Sequence, residues 1–455
     1  MSRKTKILAL WALAFLGACT KPNQNREFET SKGYNVDMTD EQMLDFVQKQ
    51  TFQYFWDGAE PNSGLARERY HADNIYPQND ASTVTSGGSG FGLMTLLVGI
   101  ERGYISREEG VARFEKILNF LETADRFHGA WPHWWYGETG KVKPFSKNDD
   151  GGDLVETSFM AQGLLCAREY FKEGSDEEQK LAARMDKLWR EIEFNWYTNE
   201  GESLFWHWSP DKGWAMNFQV HGYNECLIMY VLAAASPTYS IDKSVYDAGW
   251  AEHGRIMDVH EAFNGMTLQA RHQSNPQNGG PLFWAHYSFL GLNPTGLKDE
   301  YVDYGTECVN QAKINHDWCT KNPHAYKGYS SSSWGLTSSY SMKGYAGHAP
   351  SMERDLGVIA PTAAVSSIVY TPEESLAAMR NWLANKPALW GKYGFYDAFS
   401  ESADWMLPRY LAIDQGPMVP MIENYRSGML WKLFMQAPEV QKGLKKLGFT
   451  SPYIE

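Results

Sequence analysis

Two kinds of helical pattern alternate along the chain. One kind is apolar at nearly every position, as in the run that follows Gly88. The other repeats apolar residues every three or four positions and opens on a capping residue, as after Thr39 and Ser106. Helices that are apolar all round are buried, and amphipathic helices cover them. The pattern therefore predicts roughly twelve helices in two layers.

The apolar segments recur at intervals of roughly 55 to 75 residues, which suggests a repeated arrangement. They are predicted to start near Gly88, Asp153, Glu225, Pro281, Pro361 and Pro420. Six buried helices that alternate with six covering helices are typical of an (α/α)6 barrel, an all-α fold related to bundles and solenoids. In such a barrel the loops before the inner helices meet at one rim. We expect a single domain over residues 37–455, with its functional site at that rim.

The N-terminus has the pattern of an export signal. A basic "MSRKTK" precedes the apolar "ILALWALAF", which is too short to span a bilayer as a mature helix. The "LGAC" that ends at Cys19 resembles the lipobox of bacterial lipoproteins, in which the cysteine is lipidated. Residues 1–18 are therefore expected to be a lipoprotein signal peptide and residues 19–36 a flexible tether. Thr20, in place of Asp, favours an outer-membrane anchor in the cell envelope, facing either the periplasm or the cell surface; a cleaved signal with an incidental cysteine is the alternative.

Composition and charge narrow the choice of partners. With 43% hydrophobic and 21% charged residues, the chain is typical of a globular protein. Its formal net charge of -13 argues against nucleic acid, because phosphate binding needs a basic surface. The cysteines of the predicted domain show neither CxxC nor zinc-type spacing, so we expect no essential disulfide, no metal and no cofactor. We also expect a monomer.

Aromatic residues crowd the loops that precede the apolar segments. Core packing accounts for about half of them. The others lie among Gly, Pro, His and Lys rather than in periodic runs, where an exposed aromatic face can stack on a sugar ring while polar neighbours bind hydroxyls. This pattern favours a glycan-binding cleft. Its candidate substrate-binding residues are Trp131, His133, Trp134, Trp135, Asp149, Trp208, His221, Tyr223, Trp284, His286 and Glu423.

Four carboxylates in the same loops are candidates for catalysis. Asp153 and Glu156 are three apart at a predicted helix start and share a face, although a helix N-cap explains Asp153 equally well. Glu225 heads the apolar run "ECLIMYVLAAA", where burial raises the pKa of a carboxyl and makes a general acid. Asp414 precedes a Gly-Pro turn, and Asp397 is a further acid of the rim. Glycoside hydrolysis uses two such carboxyls.

Several long motifs resemble one known family. "DDGGDLVETSF", "GYNEC" and "YLAIDQGPMVPMIENYRSG", with "SGGSGFGL" upstream, resemble the glucoamylase-like family of bacterial lipoproteins, which includes the β-1,2-glucanases of glycoside hydrolase family 144. The resemblance extends from about residue 40 to 450. It implies an (α/α)6 fold and an inverting hydrolase without a metal. It also implies that Asp153, Glu156 and Glu225 lie in the cleft, and that Asp414 pairs with Glu225 as base and acid.

The expected function is hydrolysis of a β-glucan, with the β-1,2 linkage as the first candidate. Three alternatives remain at this point: a non-catalytic glycan-binding surface lipoprotein, a glucoamylase-type hydrolase of another glucose linkage, and a polysaccharide lyase. A lyase is disfavoured because cationic groups would be needed to bind uronate carboxylates. The acid pairs distinguish a hydrolase from a binding protein, because binding needs stacking and hydrogen bonds but no carboxyl with a raised pKa.

Overall fold

The computed structural model of the chain describes residues 37–76, 80–274 and 276–454. The predicted signal peptide, the tether and the lipidation site at Cys19 lie outside these ranges. Among the described helices, none combines the length and the apolar character that crossing a bilayer requires. The cysteines within these ranges, Cys166, Cys226, Cys308 and Cys319, are buried free thiols.

Helices form most of the regular structure, and short antiparallel strands lie in the loops between them. The α-helices are α1 Asp40–Trp56, α2 Ser86–Glu101, α3 Arg107–Leu121, α4 Leu154–Phe171, α5 Asp176–Arg190, α6 Leu227–Ala235, α7 Lys243–Ala248, α8 Tyr304–Lys321, α9 Pro361–Ser366, α10 Pro372–Asn385, α11 Ala412–Gln415, α12 Met418–Arg426, α13 Met429–Met435 and α14 Pro438–Leu447. The strands are β1 Arg69–His71, β2 Thr83–Thr85, β3 Trp134–Tyr136, β4 Val142–Lys143, β5 Gly152–Asp153, β6 His207–Trp208, β7 Ser338–Ser341, β8 Gly344–Gly347, β9 Trp390–Gly391, β10 Gly394–Phe395, β11 Phe399–Ser400, β12 Trp405–Met406 and β13 Arg409–Leu411. The 3-10 turns are Trp196–Thr198, Glu252–Met257, Phe263–Gly265, Leu282–Ala285, Tyr287–Phe289 and Pro387–Leu389.

The buried helices contact one another in chain order. Helix α2 packs on α4, α4 on α6, and α6 on the turn Tyr287–Phe289. Hydrogen bonds from His286 to Ser367 and from Tyr370 to the carbonyl of Ala285 link this region to the end of α9. Helix α9 packs on α12, and α12 returns to α2. The buried segments therefore meet in a closed sequence of contacts.

One predicted inner helix is not an α-helix. The apolar segment after Pro281 forms two 3-10 turns, Leu282–Ala285 and Tyr287–Phe289, although its residues are buried as predicted. His286 stands between the turns with φ -112° and ψ -56°. The segment is also short, because Gly291 and Pro294 follow closely. A continuous apolar run predicts burial more reliably than it predicts helix type.

Capping residues start the covering helices where the sequence predicts. Ser106 forms a capping box with Glu109 at the start of α3, as predicted. Thr39 and Ser175 cap α1 and α5 in the same way. Each box satisfies backbone N–H groups that a helix start otherwise leaves without a partner. These helices bury one face only, and α3 and α5 pack on each other while α5 also packs on α4.

The loops before the buried helices are ordered by short strands. Strand β5 pairs with β6, which sets Asp153 opposite His207. Strand β2 pairs with β3, and the backbone N–H of Ser86 donates to the carbonyl of His133 at 3.1 Å. The starts of α2 and α4 are thereby brought together with the loop that carries His133. Three of the predicted acids, Asp149, Asp153 and Glu156, lie here.

Candidate active site

Asp153 is the N-cap of α4 and the centre of a buried polar cluster. Its Oδ1 accepts the backbone N–H of Glu156 at 2.9 Å, which is the capping bond. Its Oδ2 accepts the indole N–H of Trp206 and the Nδ1–H of His133, both at 2.9 Å. The side chain of Asp153 is fully buried. The N-cap interpretation of Asp153 is therefore confirmed, and its role in catalysis stays a prediction.

Glu156 projects from the first turn of α4 toward the start of α2. Its Oε2 accepts the backbone N–H of Gly87 at 2.9 Å. Burial raises the pKa of Glu156 to about 7, with Asp153 adding to the rise and His133 opposing it. A carboxyl held in this state at neutral pH exchanges protons readily and can donate or accept a hydrogen bond.

Asp149 completes this cluster between two histidines. Its oxygens lie 3.8 Å from Nδ1 of His133 and 3.5 Å from Nε2 of His207. Burial raises the pKa of Asp149 to about 7 against the opposing effect of His133. Burial would lower the pKa of His133, but the carboxylates of Glu156, Asp153 and Asp149 outweigh it and raise that pKa to about 10. His133 is therefore an imidazolium that compensates the buried acids.

The same cluster contains the atoms that could hold a cation. Within the described chain, one ligand atom each from His133, Asp149 and Asp153 lies within 4.8 Å of the others. A metal-bound histidine must be neutral. The raised pKa of His133 and its hydrogen bond to Asp153 instead describe an ion pair. In the described chain this group of atoms is therefore an ion pair, and the absence of a resident metal remains an expectation from the sequence.

His207 differs from His133 in charge. Burial lowers its pKa to about 4, so its imidazole is neutral at neutral pH. Its Nε2 accepts the backbone N–H of Gly151 at 2.9 Å. His207 thus fixes the loop that carries Asp149 rather than supplying charge. The pairing of β5 with β6 explains this position.

Glu225 lies two residues before α6 rather than within it. Its side chain is buried, and Oε2 receives no hydrogen bond from any residue of the described chain. Burial raises its pKa to about 8, with a smaller contribution from Glu156 and Asp153. The neutral acid is therefore favoured at neutral pH. The apolar run "LIMYVLAAA" that follows is the sequence signal for this environment.

Asp414 lies in the short helix α11, and it forms a second carboxyl pair with Asp397. Burial and the neighbouring Asp397 raise the pKa of Asp414 well above its ordinary range. Burial also raises the pKa of Asp397 to about 6, although hydrogen bonds from Asp414 and from the backbone N–H of Tyr340 lower it. The Tyr340 bond to Oδ2 of Asp397 measures 2.7 Å.

Tyr287 connects the two groups of acids. Its hydroxyl donates to Oδ1 of Asp414 at 3.4 Å, and that of Tyr345 reaches the same oxygen at the same distance. The charges of Asp414, Glu225 and Glu156 all raise the pKa of Tyr287 after burial. Its ring packs against aromatic residues of α2 and α4. Carboxyl groups from distant parts of the chain therefore affect the pKa of one tyrosine hydroxyl.

Two of the predicted sugar-binding tryptophans belong to the core. Trp131 and Trp135 are fully buried. Their indole N–H groups donate to the carbonyls of Leu121 and Asp125, both at 3.4 Å. Neither can offer a face to a ligand, so the prediction of exposed faces is wrong for both. Core packing, the alternative explanation, accounts for them.

The other two candidate tryptophans differ from each other. Trp134 is 7% exposed, and the guanidinium of Arg69 lies 5.9 Å from its ring centre. Trp208 is half-buried, with its ring meeting His128 edge-on at 4.9 Å between centroids. Trp208 is thus the member of the set that retains an accessible surface.

Several further candidates have structural partners. Tyr223, Trp284 and His286 are buried, and burial lowers the pKa of His286 to about 3. Glu423 is an ion-pair residue, with Oε2 2.7 Å from Nε of Arg102. Because these side chains have partners within the described chain, the predicted role of Tyr223, His286 and Glu423 in substrate binding stays a prediction. Trp284 keeps an indole N–H without a partner in the described chain.

His221 lies in a loop on the approach to α6 and is half-buried. Its ring nitrogens contact the carbonyl of Gly249 at 3.2 Å and the side-chain oxygen of Gln219 at 3.1 Å. None of its hydrogen bonds within the described chain reaches the acids. Its predicted role in substrate binding therefore remains a prediction.

Three residues of the site carry no functional signal of the kind that singles out the acids. Tyr287 lies in an apolar segment, and Gly87 lies at a helix start. Phe145 is 38% exposed and stacks on the imidazole of His133, with centroids 4.1 Å apart. A lone aromatic residue in a polar stretch is the sequence signal for Phe145. The positions of the other two depend on helix packing that no local pattern specifies.

Comparison with known proteins agrees with this architecture. The family model named Glycoamylase, which describes glucoamylases, matches residues 217–438. An endo-β-1,2-glucanase from Chitinophaga pinensis, solved as a complex with sophorotriose and glucose, is 63% identical. That match covers 91% of this chain and 100% of the other, with a TM-score of 0.90. The chain belongs to this glucoamylase-like family, as its motifs indicate.

Two relatives from Parabacteroides distasonis are longer than this chain. A β-1,2-glucanase structure is 44% identical with a TM-score of 0.84, over 90% of this chain and 60% of the other. An exo-β-1,2-glucooligosaccharide sophorohydrolase acting at the non-reducing end is 45% identical over 441 residues. That match covers 93% of this chain, and the chain spans 60% of the length of the relative.

Proposed function

We propose that this protein is an endo-acting β-1,2-glucan hydrolase with an (α/α)6 barrel. The observation that carries the proposal is the pair of buried carboxyl groups around Tyr287. Burial raises the pKa of Glu225 to about 8, and the charge of Glu225 raises the pKa of Tyr287. The hydroxyl of Tyr287 donates a hydrogen bond to Asp414. Buried acids with perturbed pKa values are typical of catalytic sites. The closed contacts of the buried helices support the barrel.

Glu225 is the proposed general acid. It is protonated at neutral pH, and Oε2 has no competing hydrogen bond in the described chain. The acid protonates the glycosidic oxygen as the bond to the anomeric carbon breaks. Asp414 is the proposed general base and removes a proton from the attacking water. In an inverting enzyme the two carboxyls stand roughly 6.5 to 9.5 Å apart, so that water fits between base and sugar.

Asp153, Glu156 and Asp149 are proposed to hold the sugar at the scissile bond. Carboxyl oxygens accept hydrogen bonds from hydroxyl groups, and a protonated carboxyl also donates one. His133 balances the charge of these acids, so a neutral glucan can bind without bringing a counterion. The exposed face of Phe145 and the accessible part of Trp208 are proposed contacts for sugar rings. No cofactor takes part in this scheme.

The substrate and the cleavage mode rest on the relatives. The Chitinophaga pinensis protein, named an endo-β-1,2-glucanase, is matched over its full length. The exo-acting sophorohydrolase is 45% identical, lower than the 63% of the endo-β-1,2-glucanase, so endo cleavage is the first candidate and exo cleavage the alternative. Incubation with glucans of β-1,2, β-1,3, β-1,4 and α-1,4 linkage tests both points. We expect cleavage of β-1,2-glucan to a range of oligosaccharides; sophorose as the sole early product would instead indicate an exo enzyme.

The stereochemistry and the two roles can be tested on the same substrate. Proton NMR of the first products should show the α-anomer if water attacks with inversion. Glu225→Gln should lose turnover on β-1,2-glucan but recover it on a glycoside with an activated aryl leaving group, which needs no protonation. Asp414→Asn should lose turnover on both β-1,2-glucan and the aryl glycoside. Near-normal turnover of both variants on glucan would refute the assignment.

Anchoring through lipidated Cys19 at the outer membrane is also proposed, with the sequence pattern of residues 1–19 as its support. Labelling of expressing cells with a fatty-acid analogue tests it, with Cys19→Ser as the control. Incorporation that persists in Cys19→Ser would refute the lipidation site. A monomer is proposed as well, and light scattering of the protein lacking residues 1–36 measures it.

A further inference from the structure

The carboxyl groups of Asp397 and Asp414 are held side by side by two paired residues of β7 and β8: Tyr340 donates its backbone N–H to Asp397, and Tyr345 donates its hydroxyl to Asp414. Each carboxyl affects the pKa of the other through a hydrogen bond. Oδ2 of Asp397 already accepts the backbone N–H of Tyr340, and Oδ1 of Asp414 is contacted by two tyrosine hydroxyls. The remaining oxygens, Oδ1 of Asp397 and Oδ2 of Asp414, receive no N–H or O–H donor from the described chain. Carboxylate oxygens only accept hydrogen bonds, so a hydrogen bond between the two carboxyl groups needs a proton on one of them.

We infer that Asp397 is a positioning residue that shares one proton with Asp414 and so controls when Asp414 can act as the base. The inference rests on the proposed role of Asp414. Both side chains are nearly fully buried, at 2% and 1% exposure, so solvent does not separate them. Two adjacent buried carboxyls do not both ionise, and such a pair titrates as a unit.

The shared proton has a defined path during the reaction. With the proton on Oδ2, Asp414 cannot accept another from water at that oxygen. Transfer to Oδ1 of Asp397 leaves Asp414 as a carboxylate. Asp414 then takes a proton from water as the water oxygen bonds to the anomeric carbon, while Glu225 protonates the departing oxygen. The pair ends with two protons and Glu225 with none, which balances the step.

The surroundings of the pair favour this proton exchange. Tyr287 and Tyr345 donate hydroxyl groups to Asp414, and Tyr340 donates its backbone N–H to Asp397. Burial raises the pKa of all three phenols, so these side chains remain neutral. Charged groups act from further away: Glu68 on Tyr345, Arg409 on Tyr340, and Glu225 on Tyr287. No cation forms a hydrogen bond with either carboxyl in the described chain. The protonation state of Asp397 therefore depends on that of Asp414, and the reverse.

The substitution Asp397→Asn tests the inference through the pH dependence of kcat. An amide at position 397 can donate a hydrogen bond to Oδ2 of Asp414 and leave Asp414 ionised. The acid limb of the pH profile of kcat should therefore move to lower pH by about one unit or more. Because a base of lower pKa is weaker, kcat at the optimum should fall by about tenfold or more, while KM stays within about twofold. An acid limb and a kcat that match those of the unmodified protein would overturn the inference.

A matched control separates this effect from structural damage. Asp355 is equally buried and accepts hydrogen bonds from Trp318 at 2.8 Å and Tyr329 at 2.7 Å, away from the acids. Asp355→Asn should lower the melting temperature without moving the acid limb. Asp397→Glu restores a carboxyl and should return the limb toward that of the unmodified protein. An equal shift in Asp355→Asn would count against the inference.

Infrared spectroscopy tests the shared proton even if Asp397→Asn does not fold. The difference spectrum between the unmodified protein and Asp414→Asn at neutral pH should contain a protonated-carboxyl stretch that the variant lacks. Absence of that band overturns the inference. The result is independent of turnover: Asp414→Asn with normal kcat would refute the base assignment, whereas the band reports only on the shared proton.

Discussion

The backbone N–H of Gly87 donates to Oε2 of Glu156 at 2.9 Å, where α2 and α4 begin side by side. A Cβ atom at position 87 would lie 2.2 Å from that oxygen and 2.8 Å from the carboxyl carbon. Gly87→Ala should therefore displace the Glu156 carboxylate. We expect kcat/KM on β-1,2-glucan to fall by about a hundredfold, because small displacements in a site have effects of this size.

Gly103→Ala is the control for this change. Gly103 lies just beyond the other end of α2, has φ +67°, and its added Cβ would meet no atom within 4 Å. The substitution should cost about 1 kcal/mol of stability through backbone strain and leave kcat/KM unchanged. Comparable activity loss in both variants, or none in Gly87→Ala, would show that the Gly87–Glu156 contact does not govern catalysis.

Glu225 should make the protein less stable as the pH rises. Its folded-state pKa of about 8 exceeds that of an exposed glutamate, so the folded state binds more protons between the two values. The contribution of Glu225 to the free energy of unfolding is fully present below the pKa that Glu225 has in the unfolded chain. It is lost as the pH rises through about 8. Glu225→Gln should remove this loss and raise the melting temperature at alkaline pH relative to the unmodified protein, with little change at acidic pH.

Glu423 provides a comparison of opposite sign. Burial would raise its pKa, but Arg102 and Ser427 lower it below the usual value. Its contribution is therefore present above the unfolded pKa and is lost as the pH falls. Glu423→Gln should lower the melting temperature at neutral and alkaline pH. If both variants lower the melting temperature at alkaline pH, Glu225 is not a destabilising buried acid.

Local sequence patterns predicted the covering helices and the buried segments, because capping and apolar periodicity act over a few residues. Examples are the capping box at Ser106 and the buried position of Glu225 before "LIMYVLAAA". Glu225 could be selected for the same reason, since a charge beside an apolar run needs an explanation. These features require no knowledge of which segments meet.

Long-range contacts could not be predicted in this way. Asp397 approaches Asp414 only because of how the connecting strands fold, and Tyr287 reaches the pair from another part of the chain. The sequence predicts the wrong environment for Trp131, because a polar, Gly- and Pro-rich neighbourhood does not reveal whether a side chain is buried. The combination of motifs was specific enough to identify the family, but it did not distinguish the exposed ring from the buried ones.

The tryptophans of the rim should divide into structural and binding residues. Trp131 is fully buried, so Trp131→Ala should destabilise the protein by about 3 to 5 kcal/mol through lost packing. Trp208 retains accessible surface, so Trp208→Ala should weaken binding of β-1,2-glucooligosaccharides by about 1 kcal/mol. Urea unfolding and titration calorimetry measure the two effects. Unchanged affinity in Trp208→Ala would exclude Trp208 from the binding surface.

Phe145 should contribute to substrate binding through its exposed ring. The ring stacks on His133 and meets Trp134 edge-on, with centroids 4.8 Å apart, while the backbone N–H of Phe145 donates to the carbonyl of Asp149 at 2.9 Å. One turn therefore links an exposed aromatic surface to a buried acid. Phe145→Ala should raise KM about fivefold or more, as expected for loss of an aromatic contact of about 1 kcal/mol, whereas Phe145→Tyr should retain binding.

Tyr453, which is 46% exposed near the C-terminus, supplies the control for this substitution. Tyr453→Ala removes an aromatic ring that is somewhat more exposed than that of Phe145 and has no hydrogen bond to the acids among the described residues, so KM should not change. Steady-state kinetics on β-1,2-glucooligosaccharides of increasing length should show a larger effect of Phe145→Ala once the chain is long enough to reach the ring. A KM equal to that of the unmodified protein at every length would mean that Phe145 only shields His133 from solvent.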